Sequence, residues 1–378
     1  CIRDRSTAIG SSSDAIQANA TALGYLSQAG GVDASAIGAG SVASGNGATS
    51  VGTGAEASAT DASALGSYAR AQALGSIAIG GDGTDLDSLG ALASSDMAIA
   101  IGADAAATAS YSVALGQRSL TNNVLAVAVG GNANALGVGA TALGPSASAT
   151  ESATAIGAGS TAANGSFAGG QSSVASGQGD VALGAFATTA GGTGMQGNIA
   201  IGGLPETYDS ASANGYSATT AQQRTTANRG NSIAIGSGTV STGAGSIAVG
   251  AAAAASAANA SAFGAASEAV GEESTAIGTA TRAGGLRSAA FGRGSRALGT
   301  SSTAVGDTAF ALAGRATAVG QRANAAGGRS TAVGYDTNAG SNATAVGDTA
   351  NASGTGATAI GFRAAATNAN STAIGANA

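Results

Sequence analysis

Ser6-Thr7-Ala8-Ile9-Gly10 and, fourteen residues on, Ala20-Thr21-Ala22-Leu23-Gly24 carry one motif: a small residue, a variable one, Ala, a large aliphatic, then Gly. The closing glycine recurs at 10, 24, 38, 52, 66 and 80, then at 102, 116, 130, 144 and 157. A degraded copy ends at Gly170, followed by Gly184 and Gly202. A second run holds Gly236, Gly250, Gly264, Gly278, Gly292, Gly306, Gly320, Gly334, Gly347, Gly361 and Gly375. About 25 copies result, far beyond the three or so that make a repeat array stable. A length of 378 residues at about 150 per domain suggests two or three domains. The repeat overrides that quotient and reads as one repetitive unit over 1–378, with insertions at 81–97, 191–197 and 203–231.

Each copy reads as strand, turn, strand, turn. Helices are disfavoured because every copy would hold several Gly, each costing about 1 kcal/mol relative to Ala inside a helix. Counting from the motif Gly as zero, positions −3 and −1 are variable or large and −4 and −2 are Ser, Thr or Ala, a period of two. After the Gly, positions +3 and +5 are again small, as in Ser41 and Ala43, while +4 varies freely through Asp14, Glu56, Arg70, Glu268 and Arg282. A Gly or Asn near +7, such as Gly45 or Gly271, supplies the second turn. Stacked in parallel at about 4.8 Å, such copies give an all-β parallel β-solenoid, a thin rod roughly 120 Å long.

Charged +4 residues must face water, which puts +3 and +5 inside the coil and leaves two arrangements for the first strand. In one, the small −4 and −2 residues face inwards and the large ones form a stripe on the outside. That stripe comprises Ile9, Leu23, Ile37, Val51, Leu65, Ile79, Ile101, Leu115, Val129, Leu143, Ile156, Leu183, Ile201, Ile235, Val249, Phe263, Ile277, Phe291, Val305, Val319, Val333, Val346, Ile360 and Ile374. It exceeds what a soluble monomer exposes, so a partner must cover it. In the other arrangement the large residues fill the coil, a flat Ser/Thr/Ala face meets solvent, and a monomer suffices.

Composition removes whole classes of function. Gly is 64 of 378 against a usual ~7%, with only 2 Pro, which excludes collagen's strict triplets. Hydrophobic residues at 44% against 9% charged oppose disorder. With no His and no Lys, Ser/His/Asp and Cys/His sites, the P-loop lysine and Schiff-base chemistry are ruled out within the chain. One cysteine, Cys1, permits neither an internal disulfide nor a thiolate zinc cluster. A net charge of −6 argues against nucleic-acid binding. Apolar runs are interrupted before they reach the ~18 residues of a membrane span, so no direct membrane insertion is expected. The opening Cys1-Ile2-Arg3-Asp4-Arg5 lacks an apolar leader and reads as an excised or mature portion. No cofactor is expected.

The unit Ser-x-Ala-[Ile/Val/Leu]-Gly at a 14-residue period, with Ala at +5, resembles the head repeat of YadA-like trimeric autotransporter adhesins, also called haemagglutinin-type head repeats, over nearly the whole chain. The resemblance implies a left-handed parallel β-roll and a homotrimer with the large apolar positions packed along its axis. It also implies display outside a Gram-negative cell and non-enzymatic attachment to an extracellular matrix protein, glycan or cell-surface ligand. Neither handedness nor the number three follows from the spacing. No heptad stalk or C-terminal membrane barrel segment is visible, so the chain reads as head alone. The stretch 117–124, Gln-Arg-Ser-Leu-Thr-Asn-Asn-Val, faintly resembles the family's neck, but the repeat resumes at Gly130 and an ordinary coil is the expectation.

Departures from the repeat are where recognition would reside. The largest, between Gly202 and Gly236, concentrates Leu204, Pro205, Glu206, Tyr208, Tyr216, Arg224 and Arg229, either a ligand-contacting loop or a tolerated insertion. The stretch from Gly80 to Gly102 carries Asp82, Asp85, Asp87 and Asp96; a solvated acidic loop is the default reading and one calcium-binding nonapeptide the other. Gly192 to Gly197 formally fits G-x-G-x-x-G but leads into a strand, so a dinucleotide site fails its context test. Arg282, Arg287, Arg293, Arg296, Arg315, Arg322 and Arg329 either bind acidic glycans or phosphates or, the preferred expectation, pair with Asp307, Asp336, Glu272 or Glu273. Asn231-Ser232-Ile233-Ala234-Ile235-Gly236 resembles the Asn-Ser-Val-Ala-Ile-Gly units linked with collagen binding in that family.

Two rivals to an adhesive head remain at this level. A structural, ice-binding or sheath-forming solenoid would use the Thr column at 303, 317, 331, 344, 358 and 372, if exposed. A carbohydrate-cleaving β-helix would need a carboxylate pair in a cleft, and no clustering suggests one outside the Asp-rich insertion.

Overall fold

A computed structural model of the chain describes residues 5–83, 89–190, 196–203 and 224–378. The described chain is an all-β parallel solenoid of about 24 turns with no helix. It divides into two compact units, Cys1–Ser176 and Gly177–Ala378. In both, a three-residue strand alternates with a two-residue strand, and each kind pairs in parallel with its own equivalents one coil away.

The coil around Gly250 shows how the sequence makes this. Ile247–Val249 is the long strand and Ala254–Ala255 the short one. Between them Ala253 N–H donates to the Gly250 carbonyl at 3.0 Å, closing a turn whose third residue, Ala252, has φ 56°. Seven residues later Ala260 N–H donates to the Ala257 carbonyl at 3.2 Å, with Asn259 at φ 55°. Positive φ at the third position is the mark of a type II turn. A non-glycine residue there costs about 1–2 kcal/mol in the left-handed region. A hydrogen bond to the preceding coil offsets it: Ala252 N–H donates to Ser237 O at 2.9 Å and Asn259 N–H to Ala244 O at 2.8 Å.

Strand ladders keep identical positions in register, Thr303↔Thr317, Ala304↔Ala318 and Val305↔Val319 being representative. Register is therefore reproduced coil after coil, and like side chains form columns.

The four columns −4, −2, +3 and +5 point inwards, as Ser246, Ala248, Ala253 and Ala255 do at no exposure at all. Every buried hydrophobic residue among those described is alanine, and the largest fully buried side chain is Asn198. Many hydroxyls in this narrow core find local acceptors, as Ser41 Oγ donates to Gly38 O at 3.0 Å and Ser27 Oγ to Gly24 O at 3.0 Å, while others, Ser288 and Ser302 among them, do not. Of the two arrangements open from the sequence, the coil adopts the one with small residues inside. Four inward side chains in a 14-residue loop leave no room for Leu or Ile.

The regular coil is also wider than the glycine spacing suggests. Within 81–97, Leu92–Ala93 is an ordinary short strand paired with Arg70–Ala71 and Ala106–Ala107. Within 203–231, Thr226–Ala227 pairs with Thr188–Thr189 and Val240–Ser241. Counting from one motif Gly to the next assigns these half-coils to the insertions, because the short strand carries no motif of its own. The neck-like stretch is likewise coil, with Leu120–Thr121 paired on both sides.

Candidate functional site

Because −2 points inwards, −1 and −3 point out on the same strand face. The aliphatics at −1 accordingly lie on the outer surface. Leu65 is 48% exposed, Ile277 40% and Val319 36%, while Val51, Ile79, Leu115, Val129, Ile201, Val249, Phe291, Val333 and Val346 are half-buried by their column neighbours. The Thr column at −3 shares this face: Thr303, Thr317, Thr331, Thr344 and Thr358 are half-buried beside the aliphatics and Thr372 is exposed. The column and the aliphatic stripe therefore form one face.

The other predicted positions separate. Pro205, Glu206, Tyr208 and Tyr216 lie outside the described residues. Arg224 begins the described chain after them, with its guanidinium 5.8 Å from the Phe186 ring centroid. Arg229 sits in the following turn, exposed, its N–H donating to Ser232 Oγ at 3.3 Å.

Asn231 to Gly236 form an ordinary coil segment. Asn231 takes the left-handed turn position, Ser232 and Ala234 are buried, and Ile233–Ile235 is a long strand with Ile235 38% exposed. Nothing in its backbone distinguishes it from its neighbours. What does distinguish it is below it, in the core: Ser232 Oγ donates to Asn198 Oδ1 at 2.9 Å. Asn198 in turn donates through N–H to Asp180 Oδ1 at 2.8 Å and through Nδ2 to the same oxygen at 3.2 Å. Gly177 N–H donates to Asp180 Oδ2 at 2.9 Å. Sequence reasoning missed this buried ladder, although its signal is plain: Asp180 and Asn198 occupy −4, where the repeat has Ser, Thr or Ala. It lies in the coils from which the 191–197 and 203–231 insertions depart.

The acidic insertion does not gather. Asp85 and Asp87 lie outside the described residues. Asp96 is an ordinary turn residue accepting Leu74 N–H at 3.2 Å, and Asp104, which accepts Gly83 N–H at 2.9 Å, faces Arg118 Nε at 3.5 Å. Among the described residues no group of three or more acidic or Cys side chains is placed to hold a metal. The G-x-G-x-x-G stretch ends in the strand Ile199–Ile201 rather than a helix, which removes the geometry that a dinucleotide phosphate needs.

The arginines divide into two groups. Arg282 meets Glu268 at 3.1 Å, Arg287 meets Glu273 at 2.9 Å, Arg293 meets Asp307 at 2.7 Å and Arg322 meets Asp336 at 3.2 Å, each across one coil. Arg296 lies 6.0 Å from the Phe310 ring centroid. Arg315 and Arg329 meet no carboxylate among the described residues, so the expected pairing holds for part of the cluster only. A third column, Asn324, Asn338 and Asn351, forms an amide ladder at 3.0 and 3.2 Å.

A parallel solenoid with an alanine-rich core and an aliphatic outer stripe defines the class of repetitive β-solenoid proteins. The comparison with known families specifies it. The YadA head domain repeat matches at residues 4–27, 29–55, 57–82, 93–119, 123–147, 164–187, 230–253, 255–281, 283–309, 311–337, 339–364 and 352–378. The chain belongs to the YadA head family, the adhesin-type head of trimeric autotransporters, whose members are displayed on the surface of Gram-negative bacteria and whose head is a non-enzymatic domain. No curated protein sequence matches the chain.

Proposed function

We propose that this chain is the ligand-facing part of a surface fibre, three copies packed stripe to stripe, which attaches the cell to host matrix, other cells or surfaces through its outer face and the 203–231 insertion. The observation that carries the reading is the aliphatic −1 column standing outside a core of alanine and small polar residues. Full burial of such a side chain is worth about 1.5–3 kcal/mol, so ~0.6–1.2 kcal/mol is outstanding wherever about two-fifths is still exposed. At about 25 cal/mol per Å², the eight exposed positions of the second unit, Leu183, Ile235, Phe263, Ile277, Val305, Val319, Ile360 and Ile374, amount to roughly 200–400 Å². That reaches the size of the largest patch on a typical monomer before the −3 residues and the half-buried members are added. Sister chains supply a cover that repeats with the same 14-residue period, as no unrelated globular partner would.

The loop is a separate part of the proposal. Removing 204–223 leaves the short strand Thr226–Ala227 and both of its ladders in place. Attachment of the wild type and this deletion to collagen- and laminin-coated surfaces is compared, with light scattering to establish the mass of each. Loss of attachment at unchanged trimer mass supports the loop as the contact. Full attachment by the deletion rejects the loop, and a monomeric wild type rejects the fibre head.

A further inference from the structure

Between residues 282 and 329 the chain carries seven arginines and one carboxylate, Asp307, a net of +6 in a protein of net charge −6. Carboxylates on neighbouring coils neutralise four of the seven, and Phe310 stacks with a fifth. The two left over are not scattered. Arg315 and Arg329 occupy the same left-handed turn position one coil apart, at φ 59° and 56°, with Arg329 N–H donating to Gly314 O at 2.9 Å and Arg315 N–H to Thr300 O at 2.8 Å.

Both line one groove of about 560 Å³, together with Thr300, Gly314, Gly328, Ser341 and Asn342. No acidic residue is in that lining. Gly314 and Gly328 precede the two arginines and present no side chain, and Arg315 and Arg329 are both exposed at the groove. Like charges separated by one strand spacing, about 4.8 Å, repel each other unless an anion bridges them. Guanidinium forks match sulfate and carboxylate oxygens in pairs, and the Thr300 and Ser341 hydroxyls and the Asn342 amide add neutral donors around them.

We infer that the Arg315/Arg329 groove binds a polyanionic glycan, one sulfate or carboxylate group bridging the two guanidinium groups. The inference rests on the adhesive reading above and gives it a ligand class. Column repetition suits such a ligand, because a polysaccharide chain running along the coils offers successive charges to successive turns.

The test uses the full chain on immobilised heparin and on hyaluronan, which carries carboxylates only. Wild type is retained, and retention falls as salt rises. R315Q/R329Q weakens binding about ten-fold or more, as the loss of charge-assisted hydrogen bonds requires. R287Q, in the same column but already paired with Glu273, stays within two-fold of wild type. Retention on heparin alone assigns sulfate, and equal retention on hyaluronan assigns carboxylate. Three results overturn the inference. In one, R315Q/R329Q binds within two-fold of wild type. In another, wild type is retained on neither glycan. In the third, R315Q/R329Q loses trimer mass in light scattering, showing that the arginines pair with a sister chain's carboxylates. Attachment to collagen or laminin by a wild type that ignores both glycans defeats this inference and leaves the adhesive reading standing.

Discussion

Replacing Ile277, Val305 and Val319 by Ser in one variant removes three nearby members of the outer stripe without touching the interior of any coil. These side chains are 40%, 37% and 36% exposed in the isolated chain. With ~0.6–1.2 kcal/mol outstanding at each, the variant forgoes roughly 2–3 kcal/mol of intersubunit burial per chain and about 7 kcal/mol per trimer. At 1.4 kcal/mol per decade, that is on the order of five decades in the trimer association constant. The coil itself should survive, because the ladders and the buried Ala276, Ala304 and Ala318 are unchanged. Light scattering across a dilution series should therefore show dissociation at concentrations where wild type stays trimeric, while far-UV circular dichroism keeps its β signal. A variant that remains trimeric over the same dilution, or a wild type that is monomeric throughout, refutes the assignment of the stripe to a subunit interface. Collapse of the β signal at all concentrations refutes the claim that coil and assembly draw on separate residues.

Two further predictions concern the coil. In Gly250→Ala the new Cβ sits 2.6 Å from the Gly264 carbonyl carbon at φ +130°, so the coils must part. Backbone strain of about 1–3 kcal/mol, with broken ladder bonds in addition, should lower the thermal midpoint well below that of the exposed control Ala251→Ser. Ser288→Ala and Ser302→Ala should act in the opposite direction. Both hydroxyls are buried without a partner. Removing each should stabilise by about 1 kcal/mol in chemical denaturation. Ser246→Ala, at the same −4 position but bonded to Gly243 O at 2.7 Å and Ala255 O at 3.2 Å, should destabilise by a similar ~1 kcal/mol. A common sign for all three serines would refute the reading of the core columns.

What was legible in the sequence was whatever the repeat states many times. Period, strand alternation and the inward +3 and +5 columns follow from residue size alone, because an error in one coil is corrected by its neighbours. The direction of the first strand was a different matter. Alternation specifies two faces and does not say which is inside; only the closed coil decides, since four inward positions enclose a space that fits Ala and Ser. Features present once were read less well. Asp180 and Asn198 break the −4 rule, yet their partnership depends on the 191–197 insertion, across which residues 18 apart fall in adjacent coils. Pairing of Arg287 and Arg322 could be anticipated from nearby acids, whereas the isolation of Arg315 and Arg329 depends on which acid falls in the same column.

Like side chains in register limit where a solenoid of this kind can differ from coil to coil. Every coil offers the same backbone, so chemical identity can reside only in the outward positions: +4, the two left-handed turn residues and their neighbours. At the turn position filled by Gly in Gly245 and Gly356, Arg315 and Arg329 accept the left-handed backbone that glycine adopts without strain. The cost, about 1–2 kcal/mol for each, is offset by the same backbone hydrogen bond that serves the other turns, but neither guanidinium meets a carboxylate among the described residues, unlike Arg287, which meets Glu273 from the same column. A turn position that holds a charge without a carboxylate partner is the kind of departure a uniform scaffold makes for contact with something outside itself. On this scaffold the departures can be found by subtraction, setting each coil against the next.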